Sequence, residues 1–460
     1  MIKENKMGSV PIKKLIISMS LPMMISMLIQ SLYNIVDSIF VAQVSEEALT
    51  AVSLAFPVQN MMVALQVGTG AGVSAVLARS LGAGRQKQAN SSASNSVLLA
   101  GLHYGIFLVF GLLFSKAFFE TQTSDPTIIA EGTIYLTIIT TLSFGQFFQV
   151  TYERLMQSTG NTFHTMITQG IGAITNIILD PILIFGWFGF PEMGVAGAAL
   201  ATVIGQMLAA VLAVYFNTKK NTELSMPAES FRPNWSVIRE IYSVGIPSTL
   251  MVAISSVAMF FLNMILMTFS ATATAVYGIY FKLQSFIFMP VFGLTHGIMP
   301  ILSYNYGARN KQSIIDTIKI GIVYSTVIMV AGMLVFQLIP GTLLSAFNAS
   351  EEMLGYGIPA LRIISLNFIV AGYSIVVSSV FQAFGAGVLS FGESLIRQVA
   401  VLIPVAYLFS LSGYIDLIWW AYPFAEIASG IFCKYFMYII WIRKIKPIPE
   451  DGELPILSEE

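Results

Sequence analysis

Charge is what this chain of 460 residues has least of: only 10% of its residues are Asp, Glu, Lys or Arg. A water-facing domain carries about 25%, so this chain cannot clothe a soluble surface. Its charges nearly cancel, at a formal net of −1, which excludes the basic footprint of a nucleic-acid-binding protein. A single cysteine, Cys433, leaves no disulfide framework and no cysteine metal site. There is no Gly-x-x-x-x-Gly-Lys-Ser/Thr phosphate loop, which argues against a primary pump. His-Glu-x-x-His and Gly-x-Ser-x-Gly are missing too, so nothing speaks for an embedded enzyme, and no cofactor is expected.

What fills the chain instead is apolar: 56% of residues are hydrophobic and the mean hydropathy is +0.77. The chain belongs in a bilayer. Twelve segments are long enough to span one. Their approximate limits are 15–44, 51–79, 92–115, 128–152, 162–186, 194–216, 240–268, 275–303, 317–340, 356–384, 392–411 and 417–442. The first is too long for the apolar core of a signal peptide and has no small-residue cleavage site after it. The longest polar interruption, 217–239, carries Lys219, Lys220, Glu223, Pro227, Glu229, Arg232 and Pro233 and reads as a cytoplasmic linker. It divides an N-terminal six-helix lobe, 1–216, from a C-terminal one, 240–446. The acidic, proline-containing tail 447–460 reads as disordered.

Basic residues test that count. With the N-terminus in the cytoplasm, 19 of the 23 Lys and Arg fall in inner segments, Arg154 and Arg397 among them. Only Lys116 falls outside, and Lys282, Arg362 and Lys434 fall within spans. A miscounted helix would flip every later loop and destroy this positive-inside asymmetry. Both termini are therefore expected in the cytoplasm, in a bacterial or archaeal plasma membrane.

The chain repeats itself at an offset of 225. Pro22 matches Pro247, Ser45 matches Ser270, Gln59 matches Gln284, Gly68 and Gly72 match Gly293 and Gly297, Gly82 matches Gly307, and Gly160 matches Gly385. Six helices per repeat is an even number, so both halves insert the same way round. This is a parallel repeat about an axis along the membrane normal, a transporter design whose substrate site lies near the midplane.

Within this apolar background one stretch stands out: Asn176-Ile177-Ile178-Leu179-Asp180-Pro181. On a helix Asn176 and Asp180 share a face, and Pro181 removes a backbone donor one residue later, so the helix is expected to bend or loosen. A carboxylate in a spanning helix costs about 2.5–3.5 kcal/mol on insertion scales, and such residues usually line an ion pathway. The plainer reading puts the acid in the headgroup zone beside a helix end.

Several motifs together resemble the MATE family (multidrug and toxic compound extrusion), within the MOP group of exporters and flippases. They are Ser20-Leu21-Pro22, Asn34-Ile35-Val36-Asp37, Gly68-x-Gly-x-Gly72, Arg79-x-Leu-Gly-Ala-Gly84 followed by Arg85 and Gln86, Gln157-Ser-Thr-Gly160-Asn161, and Asn176-x-x-x-Asp180-Pro181. The repeat echoes them as Gly245-Ile-Pro247 and Tyr306-Gly-Ala-Arg309. The resemblance covers nearly the whole chain. It implies two six-helix lobes around a cavity that opens alternately to each side, and antiport of amphipathic, often cationic drugs against H⁺ or Na⁺. The implied cation site, with Na⁺ as one occupant, is Asp37, Asn176, Asp180 and Thr202. Helix rise supports the grouping. Asp37 lies about 33 Å above the inner start of helix 1, Asp180 about 27 Å above that of helix 5, and Thr202 about 12 Å below the outer end of helix 6. All three fall in the outer half of the membrane. Two carboxylates there would either share a proton or, with amide and hydroxyl oxygens, form a hard-oxygen shell for a small cation.

Other residues carry two readings. Gln59 and Gln284 either line the cavity or make interhelical hydrogen bonds. Lys282 and Glu426, at similar outer depths, either form a second titrating pair facing the cavity or a structural one. The 23 methionines either adapt a promiscuous cavity or fill core gaps, the latter being commoner. His103 and His296 read as packed groups, and Glu153-Arg154 as an interfacial ion pair. The rival function is a lipid-linked-precursor or polysaccharide flippase of the same group, which would carry more cationic residues in its cavity. Partners reduce to small-molecule organic cations and the bilayer, and the short loops suit a monomer.

Overall fold

Twelve helical spans follow from capping and turn chemistry repeated along the chain. The computed structural model describes residues 5–227, 230–347 and 349–449. Lys3, Glu229 and the tail from 450 onward, which enter the sequence reading above, lie outside the described residues. We label the spans α1 (Ile12–Ala42), α2 (Glu46–Gly82), α3 (Gln86–Gln122), α4 (Pro126–Thr141 and Phe144–Ser158), α5 (Thr162–Ile184) and α6 (Gly194–Lys220). The second set is α7 (Trp235–Met267), α8 (Ala271–Gly307), α9 (Lys311–Leu338), α10 (Glu351–Ser365 and Phe368–Ala383), α11 (Gly387–Ser410) and α12 (Ile415–Ile445). Among the described residues ten helices are long and apolar enough to cross a membrane, and the bent pairs α4 and α10 bring the number to twelve. The fold is all-helical, in two pseudo-symmetric six-helix lobes. With an even number of spans, both chain ends lie on one side, here called the termini face.

The repeat is visible in the joints. Ser45 caps α2 by accepting from the Ala48 amide at 2.9 Å, and Ser270 caps α8 by accepting from the Ala273 amide at 3.0 Å. Each cap satisfies a helix-start N–H that has no partner within its own helix. The turns after α4 and α10 use Gly160 at φ +90° and Gly385 at φ +75°, a region open to glycine at little steric cost. Neither bend within α4 and α10, of 42° and 50°, was expected from the sequence. At the first, Thr140 Oγ1 donates to the Leu136 carbonyl, Thr141 Oγ1 to Thr137 and Ser143 Oγ to Thr140. Hydroxyls that bond back to helix carbonyls often bend a helix, and here they cluster at the break. At the second, Ser365 Oγ donates to Arg362 in the same way.

Boundaries moved outward from the sequence limits. The α6 helix runs to Lys220, and α7 begins at Trp235, where the Asn234 side chain accepts from the amides of Ser236 and Val237. The linker between them is docked on the start of α3: Gln86 Nε2 donates to the Glu223 carbonyl at 2.7 Å, and Asn90 Oδ1 accepts from the Ser225 amide at 3.1 Å.

Among the described residues there are four apolar cores; one joins Val73, Val76 and Leu77 of the N-terminal lobe to Val237 and Ile241 of the other, and the remaining three fix how the lobes meet. One, built on Val41, Ala55, Met62, Phe119, Tyr135 and Ile184, belongs to the N-terminal lobe away from the termini face. A second, built on Leu266, Tyr277, Phe336, Ile364 and Trp419, is its counterpart in the C-terminal lobe. The third lies toward the termini face and joins Leu15, Ile16, Met19 and Ala75 of one lobe to Val244, Leu294, Ile301 and Leu302 of the other.

At that shared core the repeated glycines let backbones touch. A Cβ on Gly72 would sit 2.1 Å from the Ile241 carbonyl oxygen of α7, and one on Gly68 2.5 Å from that of Gly245. The mirror pair on α8 meets α1: Gly293 would press within 2.5 Å of Met24 Cα, and Gly297 within 2.7 Å of Ser20 Cα. Gly82 and Gly307 complete the set against the carbonyls of Tyr304 and Arg79. Arg79 also pairs with Glu240, whose other oxygen accepts from Gln88 Nε2 at 3.1 Å. The short helix Lys6–Ser9 covers this seam. Asn5 Nδ2 donates to Thr159 of one lobe, and Asn305 Nδ2 of the other lobe donates to the Met7 carbonyl, both at 3.4 Å. Because Arg79 and Glu240 are part-exposed, their pair is worth about 0–1 kcal/mol. Arg79→Gln is therefore expected to leave the melting temperature nearly unchanged, as read by differential scanning fluorimetry.

Candidate functional site

The acids of the N-terminal lobe occupy the far end of this lobe, beyond the shared seam. Gly172 of α5 and Gly205 of α6 bring the two helix backbones together: a Cβ on Gly205 would lie 2.7 Å from the Gly172 carbonyl oxygen. One turn further along, Asn176 spans the gap. Its Nδ2 donates to Asp180 Oδ1 at 3.2 Å and to Thr202 Oγ1 at 3.3 Å. Asp180 is fully buried and Asn176 nearly so. Three oxygens are left without a hydrogen-bond partner among the described residues: Asp37 Oδ1, Asn176 Oδ1 and Asp180 Oδ2. Buried polar atoms left this way call for an explanation, and three converging oxygens are what a bound water or cation would satisfy. Asp37 reaches the region from α1, close enough for its charge to act on Asp180, and both acids act on Tyr33 and Tyr135. Two carboxylates, an amide oxygen and a hydroxyl form a hard donor set, suited to a proton or a small hard cation.

The local sequence explains the placement. The α5 helix continues three residues past Pro181 to Ile184 and is not broken at the acid. Proline costs one intrahelical bond, but Phe185 N–H restores the ladder by donating to the Pro181 carbonyl at 3.3 Å. The α1 helix likewise runs through Pro22 without interruption, with Ser26 Oγ donating to the Pro22 carbonyl.

Gln59 does not stand alone: its Nε2 donates to Tyr135 Oη at 2.9 Å, which ties α2 to α4 beside the acids. Tyr33 and Tyr135 were missed in the sequence because a tyrosine in an apolar segment carries no signal of its own. Tyr135→Phe removes that acceptor and leaves Gln59 unpaired. A lost buried partner costs about 1–3 kcal/mol, so a lowered melting temperature with gradient-driven efflux retained is expected. Gln284, the repeat counterpart of Gln59, is half-buried in α8.

Elsewhere the structure corrects the sequence reading. Lys282 is exposed, whereas Glu426 is buried and faces Arg397, so Lys282 and Glu426 do not pair. Arg397 is not in an inner segment. The α11 helix begins at Gly387, immediately after the Gly385 turn, which places Arg397 ten residues into the span. Its Nε lies 3.2 Å from Glu393 Oε1 and its Nη1 3.5 Å from Glu426 Oε2. Glu153 and Arg154 are both buried rather than interfacial. Glu153 accepts from Thr168 and Gln169 at 2.8 Å and Gln149 at 3.1 Å, while Arg154 donates to Gln157. His103 is a packed group, bonded to Tyr242 Oη at 2.8 Å. Setting Arg154 and Arg397 aside leaves 17 of the 19 basic residues that the sequence reading assigned to inner segments.

A family model described as MatE matches residues 22–182 and again residues 247–408, two stretches that start 225 residues apart. The chain belongs to the MatE family. Members of that family are transporters, and the repeat of the MatE match is the sequence repeat itself. The MatE chain is 28% identical over 442 residues to a protein of Shewanella oneidensis named as an FAD transporter, covering 93% of this chain and 94% of that protein. It is 29% identical over 437 residues to the multidrug export protein MepA of Staphylococcus haemolyticus, covering 92% and 93%. A solved structure, described as the outward-facing conformation of a multidrug resistance MATE family transporter of the MOP superfamily, superposes with a TM-score of 0.88 at 25% identity, covering 97% of this chain and 99% of that one.

Proposed function

We propose that this chain is an antiporter that exports amphipathic, often cationic compounds in exchange for H⁺ or Na⁺, in a cell membrane with both termini cytoplasmic. The observation that carries the reading is the convergence of three unpartnered buried oxygens, on Asp37, Asn176 and Asp180, in a spanning lobe. The seam at the termini face supports a cycle of alternating access. The lobes share a core there, and each keeps a separate core at the opposite end. With the termini placed in the cytoplasm, we read that arrangement as an outward-open conformation. A proton or Na⁺ arriving from outside neutralises the Asp37/Asp180 pair. Neutralisation removes the cost of burying charge in low dielectric, so α1 repacks against α5 and α6 and the bound compound is displaced outward. Opening of the glycine seam then exposes the site to the cytoplasm, where the cation leaves. Gln59 and Gln284, at equivalent places in α2 and α8, are the polar groups we assign to the substrate cavity, and the bond from Gln59 to Tyr135 holds α2 against α4 there.

The test is efflux from proteoliposomes holding the full chain, with ethidium and FAD as alternative cargoes, under separately imposed pH and Na⁺ gradients. Ethidium driven by one of the two gradients is the expected result and names the ion. FAD driven in its place would move the substrate class toward that of the Shewanella relative. Neither cargo responding to either gradient would refute the antiport reading.

A further inference from the structure

The Glu393–Arg397–Glu426 cluster is a second charged site, buried in the C-terminal lobe, that the proposed mechanism does not use. Glu393 and Arg397 are four residues apart and share one face of α11; Glu426 meets them from α12. By helix rise Arg397 lies about 15 Å from the start of α11, in the middle of the span. Glu393 and Glu426 are 3% and 4% exposed. Glu393 is fully supplied: Ser429 Oγ donates to its Oε1 at 2.6 Å and Ser394 Oγ to its Oε2 at 3.3 Å. Glu426 is not. One of its oxygens faces Arg397, and the other, Oε1, is buried with no hydrogen-bond partner.

The charges around it do not balance. Two carboxylates share one guanidinium, and the remaining groups that act on the cluster are neutral: Tyr280 from α8, Ser374 from α10, and Tyr422 and Cys433 from α12. Fully ionised, the cluster holds one uncompensated negative charge away from water, an arrangement that low dielectric penalises strongly. A hydrogen on Glu426 Oε1 cancels that charge and turns the orphaned acceptor into a donor. Tyr280 Oη is buried without a partner in the same region, and Ser374 Oγ lies close enough to Glu426 and Cys433 to act on both as a hydrogen-bonding group. Arg397 keeps 26% of its side chain exposed, so the cluster is not sealed on every side.

Two further features point the same way. The α11 helix widens into a π-helix over Ile396–Leu402, starting one residue before Arg397, and such insertions are common at functional sites. By their order in the two lobes, α11 and α12 are the counterparts of α5 and α6. The same helix pair therefore holds buried acid chemistry in both lobes.

We propose that this cluster is a second proton-binding site, with Glu426 as the carrier and Arg397 as a built-in counter-cation. Arg397 occupies the place a metal cation would take, so the site accepts a proton and not Na⁺. This extends the antiport reading but does not depend on it, because its test reads protonation directly and not transport.

The experiment is pH-difference infrared spectroscopy of the full chain in lipid nanodiscs, following the C=O stretch of protonated carboxyl groups. One component is expected to vanish in Glu426→Gln, to shift but persist in Glu426→Asp, and to survive in the double variant Asp37→Asn with Asp180→Asn. Replacing choline chloride by sodium chloride should leave it in place. The Asp variant keeps the test valid if the Gln variant does not fold. A spectrum unchanged in both Glu426 variants would overturn the proposal and leave a static ion-pair network. Loss of the component on adding Na⁺ would overturn it in favour of a metal-cation site.

Discussion

Gly72→Leu should abolish gradient-driven efflux while Gly101→Leu leaves it intact. A Cβ at position 72 would lie 2.1 Å from the Ile241 carbonyl oxygen and 2.9 Å from its carbon, and these backbone atoms cannot swing aside. Nothing lies within 4 Å of a Cβ at position 101. Overpacking a tight contact costs about 1–3 kcal/mol. Applied to the sealed state alone, that cost shifts the balance between sealed and open seams by about 5–150-fold. The variant should therefore accumulate with the seam at the termini face parted. The check is labelling of Ser20→Cys in a Cys433→Ser background with a membrane-impermeant thiol reagent. Ser20 is 2% exposed and lies against Gly297. A thiol there should react slowly while Gly72 is present, and faster by a factor in that range once Gly72→Leu is added. Equal rates would mean that these glycines pack the lobes without gating them.

Asp180→Asn should stabilise the protein and uncouple it at once. Asp180 is fully buried, its Oδ2 has no partner, and the second acid, Asp37, acts on it through space. Replacing an uncompensated buried charge by a neutral isostere of similar volume often gains about 1–4 kcal/mol. Asn keeps an oxygen to accept from Asn176 Nδ2, so the bonds to Asn176 and Thr202 need not be lost. A raised melting temperature together with efflux at the level of protein-free vesicles is the expected pair of results. A lowered melting temperature would mean that Asp180 serves the fold, as a partner for Asn176, and not ion coupling.

These two positions were not equally legible in the sequence. Asp180 stands out because an acid inside an apolar run has few structural excuses, and Asn176 four residues earlier marks the same helix face. Asp37 and Thr202 came from the resemblance and from helix depth; in the folded chain Thr202 meets Asn176 directly and Asp37 acts on Asp180 from α1. Gly72 was visible only as one half of a repeat. What a glycine is for depends on the backbone it meets, and Ile241 is 169 residues away.

The misreadings have physical causes as well. Arg397, counted with an inner segment by its charge alone, lies inside the span 392–411, and the Gly385 turn, which starts the helix at Gly387, sets it ten residues deep. The i,i+4 spacing of Glu393 and Arg397 is visible in the sequence, but their meeting with Glu426 depends on how α12 packs on α11, which spacing alone does not give; by depth alone Glu426 matches Lys282. The bends in α4 and α10 escaped notice because threonine and serine are ordinary in an apolar segment. Single back-bonds of this kind, such as that of Ser26 in α1, leave a helix whole, whereas at the α4 break three of them fall within eight residues. Tyr135 was silent for a related reason: its hydroxyl matters through Gln59, 76 residues earlier in the chain.

The most direct test of the account is whether cargo and cation exchange through the Asp37–Asn176–Asp180–Thr202 site. The measurement is ion release from detergent-solubilised protein in weakly buffered solution as ethidium is added, followed by a pH electrode and a Na⁺-selective electrode together. Release of H⁺ or Na⁺ from the native chain, absent from both Asp37→Asn and Asp180→Asn, is the predicted result. Release that is undiminished in both variants would contradict the account, because the coupling ion would then be held somewhere else.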